Sequence, residues 1–171
     1  EGQYGKTELW HILNSDANAY VYLGLRETIS PERLERSARD GSLPSLLNRV
    51  PVRPGDTLWI PAGTIHAIGA GITLAEVQQS SDLTYRIYDY DRRDPSGEPR
   101  PLHLAQAMEV ADLQGTLPVI KHGEGLLGRC PYFSAYALSG PMTMHNTESF
   151  AAVMAMKGPL SINDLHLRQG E

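Results

Sequence analysis

The chain has a single cysteine, Cys130, among its 171 residues. No disulfide can form within it, and a cytoplasmic protein is the expectation. Cys130 has no CxxC partner, and Cys-Pro ahead of an aromatic segment reads as a small buried hydrophobe rather than a nucleophile. Apolar runs are short, well under the ~18 residues a membrane-spanning helix needs, and the basic-then-apolar opening of a signal peptide is missing. Lys/Arg blocks and stripes are missing too, and the net charge is -5. A nucleic-acid backbone would find little counter-charge here, so neither nucleic acid nor membrane is an expected partner. What the chain does have is 41% apolar residues, enough for the core of one ordinary domain or of two small barrels sharing an interface.

Residues 55–66 read Gly-Asp-Thr-Leu-Trp-Ile-Pro-Ala-Gly-Thr-Ile-His, matching G-x5-P-x-G-x2-H at every fixed position. Two Gly and one Pro at that spacing coincide by chance about once in 4,000 starts at average usage. The pattern resembles the second signature of the cupin barrel. Its physical reading is a tight turn at Arg53-Pro54-Gly55-Asp56, a β-prone run from Thr57 to Ile60, and a ladder break at Pro61-Ala62-Gly63 that can aim His66 inward. His66 has two readings on this motif alone, a metal ligand and a neutral packed imidazole.

Along the rest of the chain, Glu8 to Leu25 reads as an antiparallel hairpin turning at Asn14-Ser15-Asp16-Ala17-Asn18. Thr28 to Asp40 reads as a helix capped by Ser30, with Pro31 in its first turn and Gly41 as its stop. Leu43 to Val50 suggests a second short helix. Asp56 to Tyr90 has the texture of successive strands, and Asp91 to Pro101 that of a loop. Leu102 to Leu113 suits one more helix. Gly123-Glu124-Gly125 and Gly128 loosen the chain before a strand at Tyr132 to Leu138, placing a soft boundary near residues 115–130. Ser149 to Met156 reads again as strands and turns. The resulting division is 1–114, a barrel with a helical excursion at 28–50, and 115–171, a linker with part of a second barrel. Leu165 to Glu171 repeats the chemistry of the Val52 to Asp56 turn. With Glu1 rather than Met at the start, the chain reads as a fragment.

Strand alternation puts Lys6, Glu8 and Trp10 on one face and His11 on the other. A Lys and a Glu two apart are equally an exposed pair worth ~0–1 kcal/mol. Leu74 to Arg86 breaks an apolar strand with polar groups that need partners in a barrel interior. In Tyr85 to Arg92, alternation gives Arg86, Tyr88 and Tyr90 one face and Tyr85, Ile87, Asp89 and Asp91 the other. A guanidinium between aromatic walls suits an anion or a sugar oxyanion; a solvated edge strand is the competing reading.

Three blocks in order, Gly5-Lys6-Thr7-Glu8-Leu9-Trp10, Pro54-Gly55-Asp56 through His66-Ala67, and Glu76-Val77-Gln78-Gln79-Ser80-Ser81-Asp82-Leu83-Thr84-Tyr85-Arg86 on to Arg92, resemble the type I mannose-6-phosphate isomerases, most closely the bacterial short form. Arg100 to Glu109 extends the likeness over roughly residues 1–110. The resemblance implies a mainly β protein with a cupin jelly-roll barrel, a short helical insertion and a partial second barrel. It also implies one zinc ion per active site held by Glu8 and His66, Lys6 and Glu76 lining the sugar-phosphate site, and Arg86 as the catalytic arginine. The activity it implies is interconversion of mannose 6-phosphate and fructose 6-phosphate through an enediol, whose developing negative oxygen needs a cation beside it. Lys6, Glu76 and a zinc-bound water all remain open as the proton shuttle.

One departure stands out. The family draws two further zinc ligands from a Gln-x-His-Pro segment upstream of the Gly-Lys-x-Glu block, and this chain contains no such segment. His11, His103, His122, His145 and His166 sit in other contexts and read as surface or packed imidazoles. Catalytic zinc sites usually have three protein ligands, so a non-catalytic cupin module that binds sugar phosphate is the rival from another class. An iron oxygenase is a second rival, disfavoured because Lys6 and Arg86 suit an anionic sugar phosphate.

Overall fold

In a computed structural model, residues 5–90, 92–143, 145 and 149–171 are described. They form two compact units, Glu1–Ala137 and Leu138–Glu171. In chain order the elements are β1 (Glu8–Ser15), β2 (Tyr20–Leu25), α1 (Pro31–Asp40), α2 (Leu43–Leu46), β3 (Leu47–Pro51), β4 (Asp56–Ile60), β5 (His66–Ile68), β6 (Ile72–Gln78), α3 (Leu104–Val110), β7 (Ile120–His122), β8 (Gly125–Arg129), β9 (Ser134–Ala137), β10 (Leu160–Ile162) and β11 (Leu165–Leu167). The chain is mainly β, as expected. Among the described residues no helix is long and apolar enough to cross a membrane.

The first unit is built on a four-stranded sheet, β6-β1-β4-β7, and a three-stranded sheet, β3-β2-β5. Trp10, Ile12, Leu58 and Ile60 of the first pack with Val21, Leu23 and Val50 of the second. The alternation of these residues along each strand is what turns one face of each sheet to a shared core. The outer face of the four-stranded sheet is covered too. Leu9 is fully buried, and a Cβ at Gly128 of β8 would meet the Trp59 ring at 2.6 Å and Leu9 at 2.9 Å. Gly128 therefore belongs to a strand that lies close over its neighbour rather than to a loosened stretch. A second apolar cluster, with Leu25, Ile29, Leu34, Leu43 and Leu47, joins the three-stranded sheet to the helices.

The best-specified helix forms as read. Ser30 accepts from the Arg33 backbone N–H at 3.3 Å, Pro31 opens the helix, and Gly41 closes it at φ 78°. The second helix is shorter than Leu43 to Val50: α2 ends at Leu46 and the chain turns directly into β3.

Three expectations are corrected. The Glu8–Leu25 segment is not a hairpin: β1 pairs with β4 and β6, and β2 with β3 and β5. Both strands carry a core face, and placing them in opposite sheets buries both against each other. Nor does a strand run from Tyr85 to Tyr90. Consecutive residues Ile87 and Tyr88 both pack into the helical cluster, which an alternating strand forbids, and Tyr90 takes φ 53°. Asp91 lies outside the described residues. Finally, the strands of the second unit are β10 and β11, C-terminal to the Ser149–Met156 stretch. β7 pairs with β4 and Gly115 bridges to Leu25, so both belong with the first compact unit, which runs to Ala137.

One turn occurs in both units. At Arg53-Pro54-Gly55-Asp56 the Asp56 N–H donates to the Arg53 carbonyl at 3.1 Å, the Arg53 N–H donates to Asp56 Oδ2 at 2.9 Å, and Gly55 has φ 90°. At Arg168-Gln169-Gly170-Glu171 the corresponding distances are 3.0 and 2.8 Å, the latter to Glu171 Oε2, and Gly170 has φ 89°. The Gly55 N–H donates to the Ile12 carbonyl and the Gly170 N–H to the Ala155 carbonyl, each at 2.8 Å.

Candidate active site

The 55–66 signature carries the chain from one sheet to the other. Ile60 ends β4 opposite Glu8 of β1, the turn at Pro61 to Thr64 closes with a 3.2 Å bond from the Thr64 N–H to the Pro61 carbonyl, and His66 begins β5 opposite Leu23. Gly63 sits at φ 85°, where a Cβ would lie 2.7 Å from the Val110 carbonyl. Both the left-handed backbone and the close approach of the α3 end require glycine there. Crossing the core in this way brings His66 to Glu8.

His66 Nε2 lies 3.5 Å from Glu8 Oε2, and Lys6 Nζ lies 3.3 Å from Glu8 Oε1. Side-chain exposure is 4% for Glu8, 17% for Lys6 and 30% for His66, so the carboxylate is the buried centre of the group. His66 Nδ1 donates to the Thr64 carbonyl at 2.8 Å, which leaves Nε2 directed at Glu8. Lys6 Nζ donates to Gln78 Oε1 at 2.8 Å, and Gln78 Nε2 donates to the Ser81 carbonyl at 3.1 Å. The Thr7 N–H donates to Gln79 Oε1 at 2.7 Å, so residues 6–8 are strapped to the end of β6. Glu76, exposed on β6, accepts from Trp10 Nε1 at 2.7 Å.

Lys6, Glu8, His66 and Glu76, four of the five expected site residues, are therefore gathered at one end of the two sheets. Arg86 is in a separate network. Its Nη1 donates to the Pro101 carbonyl at 3.2 Å, and its Nε is 3.8 Å from Asp89 Oδ1. Asp89 is already bound by Arg100 through Nε at 2.6 Å, so its hold on Arg86 is loose. None of the Arg86 hydrogen bonds or ion pairs reaches the other four residues. Four of the five other imidazoles have partners, His11 with Thr57, His103 with the Arg86 N–H, His122 with Asp56 and His166 with Ser161, and His145 is exposed. Trp10 and Gln78 were not singled out from the sequence. The one available signal was the alternation that puts Trp10 on the face of Lys6 and Glu8.

Burial opposes the Glu8 charge, but the His66 hydrogen bond and the positive charges of His66 and Lys6 outweigh it and hold the carboxyl below its ordinary 4.5. Burial likewise opposes a charged His66, and the bonds to Glu8 and Thr64, with the charges of Glu8 and Glu76, raise it above its ordinary 6.5. Glu8 thus contributes stability that is present above pH 4.5 and lost as pH falls through its lowered value. His66 contributes stability that is present below pH 6.5 and lost as pH rises through its raised value. With metal removed by chelation, the melting temperature is expected to be highest between about 4.5 and 6.5 from this pair. Glu8→Gln should flatten both limbs of a melting series against pH, and unchanged limbs would refute the pairing.

No family model matches the chain. Among curated proteins it is 36% identical to the mannose-6-phosphate isomerase of Streptococcus mutans over 184 aligned positions, covering 100% of this chain and 58% of the relative. It is 39% identical to mannose-6-phosphate isomerase ManA of Bacillus subtilis, covering 92% of this chain and 53% of the relative. The crystal structure of the mannose 6-phosphate isomerase from Bacillus subtilis superposes with a TM-score of 0.66 at 37% identity, over 79% of this chain and 45% of that one. The chain spans about half the length of the curated relatives it matches. In sequence along nearly all of its length, and in fold, the chain is similar to mannose-6-phosphate isomerases.

Proposed function

We propose that this chain is the catalytic core of a zinc-dependent isomerase of cupin-barrel type that interconverts mannose 6-phosphate and fructose 6-phosphate. The observation that carries the reading is the meeting of Glu8 Oε2 and His66 Nε2 at 3.5 Å, one donor from each sheet. These donors fit zinc. Glu8 is a buried carboxylate, and His66 presents Nε2 while its Nδ1–H is tied to a backbone carbonyl, the usual arrangement of a metal-ligating imidazole. Glu8 and His66 would hold the ion, which when bound supplies Lewis-acid polarisation of a sugar carbonyl.

The other residues divide the remaining work. Lys6, fixed by Gln78 and Glu8, presents an ammonium to the anionic substrate. Glu76, exposed on β6, accepts hydrogen bonds from sugar hydroxyls. The proton that moves between adjacent carbons would pass through Glu76, or through Lys6 in its neutral form. Arg86 counters the charge that develops on the enediol oxygen. Its loose attachment to Asp89 lets it reorient toward a bound sugar.

A second reading, a sugar-phosphate-binding module without catalysis, is favoured by one observation: among the described residues no group of three or more His, Cys, Asp or Glu is placed to hold a metal ion. Conversion of mannose 6-phosphate to fructose 6-phosphate, assayed after chelator stripping and again after zinc is restored, separates the two. Zinc-restored turnover is expected; saturable binding of the sugar phosphate without it would favour the module.

A further inference from the structure

We propose that Trp10 is the positioning residue of this site, aiming the Glu76 carboxylate through its indole N–H and setting the plane of His66 with its ring. The proposal rests on the sugar-phosphate reading above. Trp10 is 2% exposed and packs in the core between the sheets. Its indole nitrogen can only donate, and a donor buried so deeply needs an acceptor. Glu76 stands opposite it in the β1–β6 register, with Oε2 at 2.7 Å.

Glu76 needs such a partner. It is exposed on β6, the edge strand of its sheet, where a solvated glutamate would sample many rotamers. Tied to an indole that the core holds still, the carboxylate is fixed through Oε2, while its exposure leaves it accessible to an incoming hydroxyl. The same ring meets the His66 imidazole edge-on, centroids 5.2 Å apart and planes at 79°, a favoured aromatic geometry. One buried side chain thus orients a group expected to touch sugar and a group expected to hold metal.

Trp10→Phe keeps a ring beside His66 but removes the donor, and Glu76→Ala removes the acceptor. Affinity for mannose 6-phosphate, measured by titration calorimetry in wild type, both single variants and the double variant, is expected to fall about tenfold in Trp10→Phe, the size of a lost hydrogen bond to a charged group. Trp10→Phe should cost nothing further in the Glu76→Ala background. Equal losses in both backgrounds, or none in either, would overturn the proposal, and melting curves alongside identify a variant that fails to fold. A second readout needs no sugar: the Trp10 indole N–H resonance should be protected from solvent exchange in wild type and lose protection in Glu76→Ala, and an unchanged resonance overturns the proposal. A wild-type protein that binds no sugar phosphate yet shows that loss would remove the isomerase reading and support the positioning role.

Discussion

Glu8→Ala is expected to abolish zinc uptake and to destabilise the metal-stripped protein by about 3 kcal/mol. Two arguments set the sizes. Among the described residues Glu8 and His66 are the two donors proposed to hold the metal, and removing merely an outer partner of a zinc ligand already weakens binding ~10–100-fold. Loss of the ligand itself should exceed that. Without metal, the substitution removes the counter-charge that the Lys6 ammonium and the His66 imidazole share. The low end of the usual penalty for breaking a buried pair applies, because Lys6 and His66 keep some contact with water. Zinc competition titrations and urea melts of Glu8→Ala measure the two effects separately; wild-type zinc affinity would refute the ligand role.

Arg86→Ala should behave in the opposite way, keeping zinc and stability while turnover falls ~10²–10³-fold, as ordinary for removing one charge-stabilising group. Its side chain is 27% exposed and outside both apolar clusters, so little packing is lost. Asp89 keeps Arg100 as its partner, and no buried carboxylate is orphaned. A kcat loss with nearly constant KM is the expected pattern for a group acting on the transition state. Unchanged kcat would place Arg86 in loop architecture only, where its contacts to Asp89 and Pro101 already put it.

The sequence announced some parts of this arrangement through local rules. Ser30, Pro31 and Gly41 mark the ends of α1 because caps and stops act within a turn of the residues they satisfy. The Gly55 to His66 signature was legible because a glycine that the backbone and a neighbouring carbonyl both require leaves a fixed spacing. Strand partners were not legible. β1 and β2 are neighbours in the chain, but their apolar faces are satisfied across a core, and nothing in either strand says whether its partner is adjacent or distant. The Tyr85–Tyr90 alternation misled for a related reason: tyrosines at every second position look like a strand, while packing of adjacent Ile87 and Tyr88 against helices overrides the pattern. The gathering of Lys6, Glu8, His66 and Glu76 came from resemblance rather than spacing, since it depends on the β1–β6 register and on the crossing between sheets. Trp10 went unassigned because its partner is 66 positions away.

The turn that occurs in both units carries a historical meaning. An Arg-x-Gly-acid corner with the same hydrogen bonds, left-handed glycine and docking onto a backbone carbonyl is the trace expected of a duplicated gene segment whose copies diverged. Aligning the two corners on those carbonyls, Ile12 and Ala155, sets Ala151 where the first unit has Glu8 and Val153 where it has Trp10. The corner is thus shared by both units, while the acid and indole of the first have small apolar residues at the matching positions of the second.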